Sequence, residues 1–277
     1  MDVFIRTTPY TGPVQAVVLD WAGTAVDFGC VGPVAVFVEV FRRRGVAVSV
    51  SEARGPMGLM KQEHVRRMCA TPSVAAKWRA VWKREPNEED AEAMYADVEP
   101  LLVSTVARHA TPIPGVLEAV AAFRREGIRI GSTTGYTGPM METLIRAAAE
   151  RGYAPDAAVS SSDVPAGRPY PWMCYLNALK LQVYPFEAMV KIGDTVADIQ
   201  EGRNAGMWTV GVTRTGNELG LSEREAAALE PAELRGRLRV IADGFFRAGA
   251  HYVTESVADC PAVIDDVNAR LARGERP

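Results

Sequence analysis

No run of about 18 apolar residues occurs in this chain, so no segment reads as a membrane-spanning helix. The first stretch, MDVFIRTTPY, lacks the long apolar centre of a secretory signal, and the expected location is the cytoplasm. Neither sign of charge is in excess: 31 Lys and Arg stand against 34 Asp and Glu, a formal net charge of −3. That balance gives no electrostatic reason to expect nucleic acid or an anionic membrane as a partner. Cysteine is scarce and scattered, at Cys30, Cys69, Cys174 and Cys260, with no C-x-x-C pair. Neither a zinc site nor a disulfide framework is indicated, and buried thiols are expected. Internal repeats and low-complexity tracts are missing too.

What remains is an ordinary soluble composition over 277 residues, 48% hydrophobic and 23% charged. It suffices for one large domain or a core with an insertion. Residues 1–13, with Pro9 and Pro13, read as a loosely held lead-in. Apolar runs of strand length fall at 14–19, 128–132, 157–159, 189–193, 209–213 and 251–254. Helix-like stretches separate most of them: GVLEAVAAFRREG, GPMMETLIRAAAERG, PWMCYLNALKL and TVADIQEGRNAG. Alternation of this kind predicts an α/β fold, a Rossmann-like parallel sheet covered on both faces. Gly127, Gly152 and Gly206 stand where helix C-caps belong.

Residues 28–108 break the alternation. They show helical periodicity in PVAVFVEVFRRRG, LMKQEHVRRMCA, SVAAKWRAVWKRE and EEDAEAMYADVEPLLVSTVARH, and no convincing strand. A crossover needs one helix, and this segment has room for four or five. It reads as a helical cap inserted into a core of residues 1–27 and 109–277. Ligands bind beyond the carboxyl ends of the strands in open α/β sheets, so the cap is expected to close over the site.

Polar residues gather at those strand ends. The first strand runs into DWAGT with Asp20, the second into GSTTGYT with Ser132, Thr133 and Thr134, and Arg168 follows the third in DVPAGRPYPW. The fourth ends in KIGDTVADI with Asp194 and Asp198. A carboxylate, hydroxyls, a guanidinium and further acids in one crevice suit a phosphoryl group. Asp20 would attack phosphorus, Thr133 or Thr134 and Arg168 would hold its oxygens, and the acids would hold Mg²⁺. Taken singly, each piece has a plainer reading as a helix cap, a favourable charge at a helix N-terminus or a surface arginine. In the helical segment, Met57, Lys61, His64 and Met68 follow steps of four, three and four and share one helix face. Lys61 there is either a snorkelling side chain or a desolvated amine free to attack a carbonyl.

In this chain order the pieces resemble the haloacid dehalogenase superfamily, which implies an Asp20 nucleophile. Phosphatases of that superfamily usually carry an acid two residues further on, which protonates the leaving alkoxide; here Ala22 stands in that position and transfers no proton. Together, DWAGTAVDFGC, RGPMGLMKQEHVRRM, GSTTGYT, DVPAGRPYPWMCY and KIGDTVADIQEGRNAGMWTVGV resemble the phosphonoacetaldehyde hydrolase (phosphonatase) family, from about residue 14 to GAHYVTESVAD. Ala22 and Lys61 are the most specific elements.

The resemblance implies cleavage of a C–P bond through a Lys61 imine, with Mg²⁺ on Asp20, the Ala22 carbonyl and Asp194, and Asp198 orienting those ligands from behind. His64 is expected to relay protons during imine formation or to be a structural histidine of the cap. Gly135, Cys30, Met57 and Tyr136 are expected to line the substrate pocket with Thr133, Thr134 and Arg168. A homodimer through the cap is also implied. Two other readings stay open: a phosphate-ester phosphatase or phosphomutase of the same superfamily, with Lys61 merely binding substrate, and a non-catalytic binding protein on this fold.

Overall fold

The structure, a computed structural model, describes residues 8–277. Six strands form one parallel sheet: β1 (Ala16–Leu19), β2 (Arg129–Thr133), β3 (Ala157–Val159), β4 (Met189–Gly193), β5 (Trp208–Val212) and β6 (Tyr252–Thr254). Their order across the sheet is β3-β2-β1-β4-β5-β6. The six apolar runs thus all pair, each within two residues of its expected bounds. Part of the lead-in, residues 1–7, lies outside the described residues. Residues 8–13 are tied down, since Tyr10 donates its hydroxyl to the Pro13 carbonyl and accepts from Gln15.

Five helices follow β1 before the chain returns to the sheet: α1 (Val31–Arg43), α2 (Val50–Arg54), α3 (Lys61–Ala70), α4 (Pro72–Trp82) and α5 (Glu88–Thr105). A 3₁₀ turn at Val106–His109 leads back to the sheet. The remaining helices are α6 (Val116–Arg125), α7 (Gly138–Ala149), α8 (Trp172–Leu181), α9 (Val196–Ala205), α10 (Glu223–Ala228), α11 (Pro231–Ala248) and α12 (Cys260–Ala272). Gly127, Gly152 and Gly206 all adopt positive φ at or just beyond helix ends. The four cysteines are free and buried. Among the described residues no helix is long and apolar enough to cross a membrane.

Alternation along the strands divides the core. Val17 and Leu19 face α6, α7 and α12 through Phe123, Leu144 and Ile264, while Ala16 and Val18 face Cys174, Ala178 and Leu181 of α8. All of these side chains are buried. At about 25 cal/mol per Å² of apolar surface removed from water, this two-sided burial holds the sheet. It also fixes where each strand stops. The chain steps from β1 outward to β2 and β3, then returns to the other side of β1 for β4, so the crevice falls between β1 and β4.

Candidate active site

Asp20 follows β1 directly and donates its backbone N–H to the Ile192 carbonyl of β4 at 3.0 Å. Since Leu19 is in register with Ile192, the residues that follow, Asp20 and Asp194, emerge side by side at the crevice. The DWAGT turn reverses tightly here. Gly23 takes φ +90°, and a Cβ at that position would run into the Asp194 carboxylate, so only glycine fits.

The two aspartates are held differently. Arg168 donates from Nη2 to Asp20 Oδ1 at 2.7 Å and to Thr133 Oγ1 at 2.8 Å. The same nitrogen lies 3.0 Å from Asp198 Oδ1, and Nε donates to Glu201 at 2.9 Å. Asp194 instead accepts from Thr24 Oγ1 at 3.0 Å and from the Asn217 amide at 2.7 Å. Lys191, fully buried inside β4, donates to Asp198 at 2.6 Å, and Thr195 donates to the other Asp198 oxygen at 2.6 Å.

Burial pushes the Asp20 carboxyl above its ordinary range, with Arg168 pulling it back. Burial and the neighbouring Asp20 push Asp194 much further up. Burial opposes ionisation of Asp198 too, but Arg168 and Lys191 outweigh it and hold that carboxyl low.

Burial is the largest cause of the two upward shifts, and a charge imbalance adds to it. Four buried carboxylates, Asp20, Asp194, Asp198 and Glu201, face two buried cations, Arg168 and Lys191, while burial pushes the third buried base, Lys61, toward its neutral form. The two surplus negative charges match a divalent cation, and one oxygen from each of Asp20, Asp194 and Asp198 lies within 4.8 Å of the others. An all-oxygen donor set of this kind fits a hard cation. Asp198 is already matched by two cations, Arg168 and Lys191, whereas Asp20 meets Arg168 alone and Asp194 accepts only from neutral donors, so Asp20 and Asp194 are the freer donors.

A narrow cavity sits over these carboxylates. Asp20, Ala22, Asp194, Thr134, Gly135, Tyr136 and Arg168 line it from the sheet side, and Cys30, Met57 and Lys61 from the helical insertion. It holds only about 20 Å³ of water-accessible space, little more than one water molecule. The Lys61 side chain is buried, with Nζ 3.9 Å from Met57 Sδ and 4.8 Å from the centre of the Tyr136 ring. Among the described residues no carboxylate lies within salt-bridge distance of it. Burial lowers its pKa below 10.5, Arg168 adds to the effect, and Cys30 and Asp20 oppose it.

Two of the expected site residues lie off the cavity wall. Thr133 does not line the cavity: its hydroxyl lies behind Arg168 and donates to Glu201 at 3.1 Å. Alternation along β2 turns neighbouring residues apart, so Thr134 reaches the cavity and Thr133 does not. His64 also lies off the cavity wall. Its ring stacks on Phe37 at 3.8 Å and its Nε2 donates to the Ala53 carbonyl at 2.9 Å, which leaves a bare, buried Nδ1.

Sequence reasoning missed Lys191, Glu201, Thr24 and Asn217. Lys191 could have been found, because a lysine inside an otherwise apolar strand must meet a buried anion. The other three are ordinary polar residues whose partners lie far along the chain.

A parallel sheet with this crevice, an aspartate at the end of β1 and an acidic cluster at the end of β4 define a hydrolase class. A family model described as haloacid dehalogenase-like hydrolase matches residues 14–206. The chain is 62% identical to the phosphonoacetaldehyde hydrolase of Nitratidesulfovibrio vulgaris, over all of this chain and 99% of that one. It is 61% identical to a phosphonoacetaldehyde hydrolase-like protein of Syntrophobacter fumaroxidans over the full length of both. The crystal structure of a phosphonoacetaldehyde hydrolase-like protein from Oleispira antarctica superposes with a TM-score of 0.96 at 42% identity, all of both chains being covered. The chain belongs to the haloacid dehalogenase-like hydrolases and, within them, to the phosphonoacetaldehyde hydrolase family.

Proposed function

We propose that this protein hydrolyses phosphonoacetaldehyde to acetaldehyde and phosphate, with Lys61 as the amine that activates the aldehyde and Asp20 as the nucleophile toward phosphorus. The observation that carries the reading is Lys61: a buried amine of lowered pKa, paired with no carboxylate among the described residues, in the same cavity as Asp20.

The chemistry explains why these two residues act together. Simple departure of carbon from phosphorus leaves an unstable carbanion, and an acid beside Asp20 is no remedy for that. Neutral Lys61 adds to the aldehyde and expels water to give an imine, which is then protonated. As an oxygen of Asp20 bonds to phosphorus, the C–P electron pair moves into the protonated imine and leaves as a neutral enamine. One water cleaves the aspartyl phosphate, and a second hydrolyses the enamine, after its protonation on carbon, to acetaldehyde and free Lys61. Net consumption is one water per turnover. Ala22 therefore needs no acidic side chain.

Around this step the chain positions and neutralises. Arg168, Thr134 and the Gly135 backbone meet the phosphonate oxygens, while Met57, Cys30 and Tyr136 enclose the aldehyde end. Asp20, the Ala22 carbonyl and Asp194 would hold Mg²⁺, with Asp198 and Thr195 bracing them, and the ion would supply charge neutralisation when bound. His64 braces α3 against α1 and α2 through the Phe37 ring and the Ala53 carbonyl. Residues 28–108 act as a cap over a core of residues 1–27 and 109–277. A homodimer through that cap draws support from Val81 and Trp82, half-exposed on α4, and sedimentation analysis tests it.

Borohydride added with phosphonoacetaldehyde tests the mechanism. Reduction should trap the carbon fragment on Lys61, and inactivation should require substrate. Lys61→Arg, whose guanidinium stays protonated, should neither be trapped nor cleave the C–P bond. Turnover by Lys61→Arg, or wild-type enzyme left active by borohydride and substrate, overturns the imine and favours a phosphatase.

A further inference from the structure

We propose that Arg54 is the latch that closes the helical insertion over the cavity and so positions Lys61. Its catalytic meaning rests on the imine reading above; its geometry does not.

Arg54 is the last residue of α2, and its guanidinium reaches out of the insertion. Nη1 donates to the carbonyls of Gly29 and Cys30 at 2.8 and 3.4 Å and to Asn217 Oδ1 at 3.1 Å. Nη2 donates to the Gly220 carbonyl at 2.9 Å. Asn217 answers with Nδ2 donating to the Arg54 carbonyl at 3.3 Å. Asn217 and Gly220 belong to the loop after β5, and Gly29 and Cys30 precede α1, so one side chain ties α2 to both. Among the described residues no carboxylate lies within salt-bridge distance of Arg54, and every acceptor is neutral. A planar fork can satisfy several carbonyls at once, which a lysine ammonium cannot do in the same geometry. The loop is shaped for it: Gly220 has φ +66°, and a Cβ there would stand 2.7 Å from Arg54 Nε.

Both ends of this contact lead to the reaction site. On the core side, the Asn217 amide donates to Asp194 at 2.7 Å. On the insertion side, the Arg54 carbonyl accepts from the Met57 amide at 2.9 Å, starting the turn that runs through Met57 to Lys61. His64 on α3 bonds to the Ala53 carbonyl of α2, so the two helices are fastened to each other. Engagement of Arg54 thus sets Lys61 relative to the strand-end carboxylates. With room for little more than one water, the cavity must open to admit any organic substrate, and the Arg54 bonds are among those that break.

The test uses the full chain with Mg²⁺ and two readouts. Brief acetic anhydride labelling without substrate, mapped by peptide mass, measures exposure of the Lys61 amine. In Arg54→Ala it should rise at least about tenfold, while kcat/KM for phosphonoacetaldehyde falls on the order of 10²-fold, the scale expected when catalytic groups are displaced by about 1 Å. Low, non-denaturing guanidinium should restore both toward wild type, and an alkylammonium salt should not. Should Arg54→Ala fail to fold, Asn217→Ala removes one acceptor, leaves the Asp194 contact to the backbone intact, and should raise labelling in the same direction. Unchanged Lys61 labelling in a folded variant overturns the latch. Faster labelling together with a wild type that borohydride cannot trap supports the latch and removes the imine.

Discussion

Lys61 Nζ lies 4.8 Å from the centre of the Tyr136 ring, so the insertion and the sheet meet where an amine faces a π surface. The ring can favour an ammonium but takes no proton from it, and Met57 Sδ at 3.9 Å is a weak acceptor. A side chain kept merely for packing has no reason to carry an ammonium into such a place. The arrangement costs stability and supplies a reactive amine.

Lys61→Met tests that trade. The folded pKa of Lys61 is depressed, so its contribution to stability is fully present above 10.5 and is lost as pH falls below that value. Near pH 7.5 the lysine therefore weighs against folding, and a methionine of similar length should raise the thermal midpoint by about 2–4 °C for each kcal/mol recovered. Turnover should vanish. A lowered midpoint would assign Lys61 a structural role instead.

Asp20→Asn separates the two covalent steps. Asparagine keeps the shape but is a poor nucleophile, so turnover should fall by roughly three orders of magnitude or more. Imine formation does not need Asp20, and borohydride should still label Lys61 in this variant. More than a tenth of wild-type activity would remove Asp20 from the attacking role.

The metal prediction follows from the surplus of two negative charges. Chelation should abolish activity and Mg²⁺ should restore it, while Asp194→Ala should weaken Mg²⁺ binding by at least about tenfold in calorimetry. The same variant removes a carboxyl that burial and the neighbouring Asp20 and Asp198 push upward. Its stability without metal should therefore equal or exceed that of the wild type. Full turnover after exhaustive chelation would count against Asp194 as a ligand.

The central strands β1, β4 and β5 could be read from the sequence because they are buried throughout, and two-sided burial writes a nearly continuous apolar run. The cap helices and the acids at the strand ends were legible for the same reason: they interrupt that pattern. Helix α2 was not, since five residues give no periodicity to detect. Nor were Glu201 and Asn217, whose importance comes from partners 33 residues away at Arg168 and 23 residues away at Asp194. The choice between Thr133 and Thr134 was not legible either, since only the pleat at the end of β2 decides which hydroxyl faces the cavity.

His64 gives a pH dependence of opposite origin to a salt bridge. Burial holds its pKa well below 6.5, and nearby Lys61 lowers it further. The unfolded chain takes up a proton below 6.5 that the folded chain refuses, so stability is complete above 6.5 and falls as pH drops. The slope from this group is about 1.4 kcal/mol per pH unit. His64→Gln, which can still donate to the Ala53 carbonyl, should flatten denaturant-derived stability against pH below 6.5 by about that slope. Parallel curves for the two proteins would mean that His64 titrates normally in the fold.

Ala22 lines the cavity beside Asp20 and Asp194. A phosphate ester with a poor alkoxide leaving group needs a proton at the departing oxygen, and no side chain at this position gives one. Wild-type enzyme should therefore hydrolyse p-nitrophenyl phosphate, whose leaving group departs unaided, far faster than an alkyl phosphate. Ala22→Asp adds an acid able to protonate an alkoxide, and alkyl phosphate turnover should rise by roughly 10²-fold, the lower range of general acid catalysis. It also adds a fifth carboxylate to an already anionic site, so phosphonoacetaldehyde turnover should not rise and the Mg²⁺ requirement should persist. If wild-type enzyme already prefers alkyl phosphates, another group supplies the proton, and the pairing of Ala22 with the Lys61 electron sink is wrong.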